Sequence, residues 1–285
     1  MSKKVLVVAN ETLGGRNLLD AVEERARAGD ASFVLVVPQH RPRHGGIIYD
    51  EAVRDAAQVR IDLATQFLGA EGIEVEAEVG DEDAYLATMD AIAEVRPDEI
   101  IVSTHPTTQS GWLRHDLVQR IADASGLPVE HVVVDLDAEG LPFTVTLVVA
   151  NRTVGGEELL EKLKAKAAGE SHSAGERGGH LFIVVVPQEG GQGHHAQEAR
   201  ERLGAVLERL RSEGLLCAGM IGDPDPYTAA MNALESFRVS EVVISTLPEE
   251  KSGWLRANLP ERIAEASGLP VEHVVVDADA QKANA

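Results

Sequence analysis

The sequence predicts an α/β fold made of two copies of a doubly wound domain, each a parallel sheet with helices on both faces. Short apolar runs alternate with longer amphipathic stretches along the whole chain. The string SGLPVEHVVVD at 125–135 recurs without change at 267–277. The length of 285 residues also exceeds what one small domain needs, at about 150 residues per domain.

The apolar runs of the first half are Val5–Ala9, Phe33–Val37, Ile73–Val79, Ile100–Val102 and Val129–Val134. They are predicted strands, and MSKKVLVVAN is read as the first of them, not as a leader segment. Between them, Leu18–Ala28, Asp50–Leu68, Ala84–Val95 and Leu117–Ala124 return an apolar residue every three or four positions. That period buries one face of a helix. The last strand, apolar on both faces in this reading, is expected at a sheet edge, where an exposed apolar strand invites association.

The second half repeats these elements in order. LVVAN followed by Thr-x-Gly-Gly stands at 6–15 and 147–156, FVLVVPQ at 33 matches FIVVVPQ at 182, GDEDAY at 80 matches GDPDPY at 222, and SGWLR stands at 110–114 and 252–256. The offset is 141 at the first strand, 149 at the second and 142 from Gly80 onward. The length changes fall in Gly-rich or His-rich loops, where chains tolerate them. Domains are therefore expected at 1–140 and 141–285, joined by the short connection Leu136–Pro142. The two like edges, Val129–Asp135 and its copy, can pair about a pseudo-twofold axis as in a homodimer, or each can be covered by a helix or loop.

Charge and cysteine content narrow the function. With 47 acidic against 26 basic residues the net charge is -21, which repels phosphate backbones and anionic membrane surfaces, so neither nucleic acid nor membrane is an expected partner. The single cysteine, Cys217, forms no intrachain disulfide, and a reducing, cytoplasmic setting is expected. No phosphate-binding Gly-x-x-x-x-Gly-Lys-Ser/Thr loop, zinc-protease motif or nucleophile elbow is present, and no catalytic residue or metal site is assigned.

Open parallel sheets bind ligands beyond the carboxyl ends of their strands, so the loops there are the candidate sites. After the first strand stand Asn10, Thr12, Gly14 and Gly15, with Asn151, Thr153, Gly155 and Gly156 in the second half. The glycines would let an anion reach free amides at a helix N-terminus, or would simply serve the turn while Thr or Asn caps the helix. After the fourth strand stand Ser103, Thr104, Ser110, Gly111 and Arg114, repeated as Ser245, Thr246, Ser252, Gly253 and Arg256. Hydroxyls, a Ser-Gly turn and a guanidinium can hold a phosphate. Equally, Trp112 and Trp254 can pack as anchors while the arginines pair with carboxylates. Gly191, Gly193 and Ala196 match a G-x-G-x-x-A pattern, but after the second strand of their half instead of the first. His194, His195, His172 and His180, the last two in an inserted loop, are expected to be solvated. Cys217 is expected to be a small buried strand residue, and His131 and His273 to be sheet or interface residues.

The opening strand-loop-helix, GDPDPY after the third strand, and a strand ending in VSTH or ISTL before a long loop together resemble the universal stress protein family in its tandem form, a branch of the adenine-nucleotide α-hydrolase-like superfamily. The resemblance covers nearly the whole chain twice. It implies a five-stranded parallel sheet of order 3-2-1-4-5, association through the last strand within the chain or between copies, a non-catalytic stress-response role, and ATP or AMP at the loops after strands one, two and four. Ser103 and Pro106 stand where ATP-binding members have glycines, and His115-Asp116 and Ala257-Asn258 where Gly-Ser is usual. Asn10 and Asn151 replace the usual aspartate. These departures leave Gly111, Arg114, Gly253 and Arg256 to form a different anion site, or leave an interaction module that no longer binds nucleotide.

Overall fold

The computed structural model describes residues 2–29, 31–39, 50–106, 116–169, 179–188, 194–248 and 252–276, without the side chains of 50–52, 194–196 and 256. It divides the chain into two compact units, the first running through Pro142 and the second taken up from Phe143.

The first unit follows the order β1 (Lys3–Val8), α1 (Arg16–Ala28), β2 (Ala31–Pro38), α2 (Asp50–Ala70), β3 (Val75–Gly80), α3 (Ala84–Val95), β4 (Glu99–Thr104), α4 (Leu117–Ser125), β5 (Val129–Val133) and α5 (Leu136–Glu139). Its strands form one parallel sheet of order β3-β2-β1-β4-β5. The reason for the continuous apolar strands is visible in the packing. Leu6, Val8, Ile100 and Val102 meet Ala87, Ala91, Leu117 and Ile121 of α3 and α4. Strand alternation turns Val5, Val7 and Ile101 to the other face, and all three are buried.

The second unit repeats this with β6 (Thr144–Val149), α6 (Glu157–Gly169), β7 (His180–Pro187), α7 (His194–Ser212), β8 (Leu216–Gly222), α8 (Pro226–Ser236), β9 (Glu241–Thr246), α9 (Gly253–Arg256), α10 (Leu259–Ser267) and β10 (Val271–Val275). Its parallel sheet has the order β8-β7-β6-β9-β10. Leu159, Leu160 and Leu163 of α6 and Leu203, Leu207 and Leu210 of α7 cover Val148, Phe182 and Val184. The two halves are thus repeated doubly wound α/β domains with the strand order that the resemblance implied.

Both copies of the GD-x-D-x-Y string serve the fold. A Cβ on Gly80 would lie 2.6 Å from Ala87 Cβ, and one on Gly222 would lie 2.6 Å from Ala229 Cβ, so only glycine admits the following helix at that distance. Asp83 accepts from Tyr85 N and Leu86 N, and Asp225 from Thr228 N, which caps α3 and α8. The tyrosines then lie under arginines of α4 and α10: Arg120 is 4.1 Å from the Tyr85 ring centroid and Arg262 is 4.3 Å from that of Tyr227.

At the amino ends of the strands, Glu99 accepts from Lys3 (2.5 Å) and from Arg25 Nε (2.7 Å), and Arg25 also reaches Glu130. The equivalent positions are Glu241, Lys166 and Glu272, with Lys166 Nζ at 2.8 Å and 2.9 Å from the two carboxylates. Burial alone would raise the Glu99 carboxyl; hydrogen bonds from Lys3 and Arg25 outweigh it and hold the group below its ordinary value.

Two expectations need correction. The strand β5 is at the edge, as expected, but it is not apolar on both faces: Glu130 and His131 are exposed, and only Val132 is buried. Within the short connection after it, Asp135 accepts from Asp137 N and Ala138 N and starts the single helical turn α5. His180 does not lie in the inserted loop. It opens β7, is buried, stacks on Phe182 and shares a hydrogen bond with Thr146 Oγ1 at 2.5 Å. Among the described residues no helix is long and apolar enough to cross a membrane.

Candidate functional site

The carboxyl ends of β1 and β4 are adjacent strand ends in the first unit, because these strands pair directly. The chain leaves β1 through two tight turns, with Leu13 N donating to Asn10 O and Gly15 N to Thr12 O. Asn10 is buried, and its Nδ2 donates to Pro38 O at the end of β2 at 2.6 Å. Thr12 Oγ1 crosses to Ser103 O of β4 at 3.4 Å. The second unit repeats both links: Asn151 Nδ2 to Pro187 O at 3.1 Å and Thr153 Oγ1 to Ser245 O at 2.9 Å. These side chains tie the first loop to its neighbouring strands, and in the first unit neither Thr12 nor Asn10 caps α1. The residue preceding α1 is Gly15, with no side-chain cap.

Gly15 has a packing reason of its own. A Cβ there would stand 2.1 Å from Val134 Cγ1, and one on Gly156 would stand 2.5 Å from Val276 Cγ1. Gly14 is half-buried, and Gly155 meets nothing nearer than Val206 at 3.9 Å, so Gly155 is the one of these two shown to have room beside it.

Past β4, Ser103 and Thr104 turn to opposite faces, as neighbours on a strand must. Thr104 donates its one hydroxyl proton to His105 O at 2.9 Å, so the contact with His131 Nε2 at 2.8 Å has the imidazole as donor. Thr246, Leu247 O and His273 repeat this at 2.9 Å and 2.7 Å. Partial burial lowers the pKa of both histidines, which favours the neutral imidazole although both residues are exposed on the edge strands.

Among the described residues, several buried polar atoms at these strand ends have no partner: Asn10 Oδ1, Ser103 Oγ and His105 Nδ1 in the first unit and Ser245 Oγ in the second. Buried polar atoms are normally satisfied, so each marks a place where a water or ligand is owed. His105 Nε2 meets Glu11 Oε2 at 3.2 Å.

Of the residues singled out in the sequence, Asn10, Thr12, Gly14, Gly15, Ser103 and Thr104 gather at this rim, and Asn151, Thr153, Gly155, Gly156, Ser245 and Thr246 do so in the second unit. Ser110, Gly111 and Arg114 lie outside the described residues, as do Trp112, His172, Gly191 and Gly193, and the side chain of Arg256 is not described. Ser252 is buried, but its hydroxyl accepts from Leu255 N at 3.3 Å and caps α9, with Gly253 as the first helical residue. Asp116 and Asn258, at the start of α4 and α10, both have left-handed backbone with φ of 49° and 50°. Asp and Asn tolerate that conformation best after glycine. No group of histidine, cysteine and carboxylates among the described residues is arranged to hold a metal ion.

Two arginines escaped the sequence reading. Arg202 of α7 donates from Nη1 to Asn151 Oδ1 at 2.6 Å. Its counterpart under the offset of 142 is Arg60 of α2. Burial pushes the Arg60 guanidinium down to about 10, while the Glu11 carboxylate pulls it back up. Carrying the offset backward from Gly222 through α7 would have found the pair.

No family model matches the sequence, and no curated protein does. Among solved structures the chain is similar to a universal stress protein from Archaeoglobus fulgidus DSM 4304, 15% identical over 96% of this chain and 97% of that one, with a TM-score of 0.35. It is also similar to a CobK precorrin-6A reductase, 13% identical over 98% and 89%, with a TM-score of 0.25. The architecture itself, two parallel five-stranded sheets with this strand order, fits a tandem universal-stress-type fold.

Proposed function

We propose that the chain is a non-catalytic, cytoplasmic, stress-response or regulatory protein of the universal stress type, binding a small molecule of the adenine-nucleotide class, ATP or AMP, or another small anion, at the crevice beyond β1 and β4. The observation that carries the binding part is the set of buried, unpartnered polar atoms at that rim: Asn10 Oδ1, Ser103 Oγ, His105 Nδ1 and Ser245 Oγ. The protein's partners in this reading are further copies of the chain, meeting at the edge strands β5 and β10. Val133 and Val275 are large apolar side chains exposed on those edges, at 41% and 45%.

A second reading, an interaction module without nucleotide, is favoured by Ser252, whose hydroxyl is spent on capping, and by Gly15 and Gly156, whose missing Cβ is explained by Val134 and Val276. Mass spectrometry of small molecules released from the purified protein separates the two. The binding reading expects a stoichiometric molecule of the nucleotide class, or rebinding of one by stripped protein. Absence of both would leave the interaction module.

A further inference from the structure

The described loops after β1 and β6 make the same links to their neighbouring strands, yet their asparagines are treated differently. In the second unit Asn151 Oδ1 is occupied by Arg202. In the first, Asn10 is 5% exposed and its Oδ1 has no partner, although an arginine stands at the equivalent place on α2. The residue after each asparagine differs in charge: it is Glu11 in the first unit and Arg152 in the second. By charge a carboxylate at that position attracts the guanidinium of Arg60, whereas a second guanidinium repels that of Arg202, whose Nη1 lies 2.6 Å from the asparagine oxygen. The position after Thr104 and Thr246 differs as well, with His105 against Leu247. Ser103 Oγ and Ser245 Oγ are alike in having no partner, so the serine is not what distinguishes the units.

The chemistry left open in the first unit is acceptor chemistry. His105 directs Nε2 at the Glu11 carboxylate, so in the neutral imidazole Nε2 carries the proton and Nδ1 keeps its lone pair. Asn10 Oδ1 is an acceptor too, Ser103 adds a hydroxyl, and the nearby carboxylate disfavours an anion. A ligand that satisfies this set brings N–H or O–H groups, as the sugar and base of a nucleoside do.

We infer that the charge at position 11 or 152 decides which crevice is open, so that each chain binds one neutral, donor-bearing molecule of the nucleoside class in the N-terminal unit through Asn10 and His105, while Arg202 closes the C-terminal crevice. This rests on the reading of that rim as a binding site and replaces its anion by a neutral nucleoside. The test is calorimetric titration of the full chain, stripped of copurified ligand, with adenosine, AMP and inorganic phosphate. The wild type should take one equivalent of adenosine and none of phosphate. Asn10→Leu should weaken binding about tenfold or more, as loss of a buried hydrogen bond does, and Asn151→Leu should leave it unchanged. Glu11→Arg should abolish it, and Arg152→Glu with Leu247→His should raise the stoichiometry to two; if Glu11→Arg does not fold, the latter variant decides. Two equivalents in the wild type, equal losses from the two asparagine substitutions, or binding of AMP without adenosine would overturn this inference and leave the binding reading standing. No heat from any of the three would bring down both.

Discussion

Val134 Cγ1 occupies the space where a Cβ on Gly15 would have to be, 2.1 Å from it, and Val276 repeats the relationship with Gly156 at 2.5 Å. The helix after the first strand is thereby seated against the residue following the last strand. Gly15→Ala should destabilise the chain by about 1–3 kcal/mol, the usual cost of overpacking, and Val134→Ala in the same chain should recover part of it. Urea unfolding of the single and double variants checks this; additive losses would contradict it.

His131 and His273 predict a pH dependence. Their folded pKa values lie below the ordinary 6.5, so the unfolded chain binds more protons between the two values. The stability they confer is present above pH 6.5 and is lost as pH falls through the folded value. Replacing both with glutamine, which can still donate to Thr104 and Thr246, should flatten the melting-temperature profile between about pH 7.5 and 5 relative to the wild type.

The ion pairs at the amino ends of the strands act in a lower window. Glu99, Glu241 and Glu272 are held below the ordinary carboxyl value of 4.5, so their contribution is complete above that pH and disappears as pH falls through the depressed values. Arg25→Met removes one partner from a largely buried pair and should cost about 1–3 kcal/mol at pH 7, less than a wholly buried pair would. The difference from wild type should shrink as Glu99 becomes protonated. Chemical denaturation at pH 7 and pH 3.5 measures both.

The tyrosine–arginine contacts should be worth about 0.5–1 kcal/mol each at these partly exposed positions. A double-mutant cycle of Tyr85→Leu with Arg120→Ala should show that coupling, and the same cycle on Tyr227 and Arg262 should match it.

Most of the fold was legible because buried parallel strands must be apolar on both faces. The ends of strands were less so. β4 runs from Glu99 to Thr104 instead of Ile100–Val102, because Glu99 is compensated by Lys3 and Arg25 and Thr104 by His131, partners distant in sequence. The strand order came from the resemblance, since periodicity does not specify neighbours. At the site, the repeated loops pointed to the right rim, but residue type did not distinguish a glycine kept for a ligand from one kept for Val134. Arg60 and Arg202 were missed because they reach the crevice from the helix after the second strand.

Hydrogen–deuterium exchange of the stripped full chain with and without adenosine or AMP tests the central claim most directly, that the rim beyond β1 and β4 is a ligand site. The account predicts slower exchange confined to the segments around Asn10–Gly15 and Ser103–His105, with the Glu99 and Glu130 end of the same strands unchanged. Protection at that opposite end, or none anywhere at saturating ligand, would contradict it.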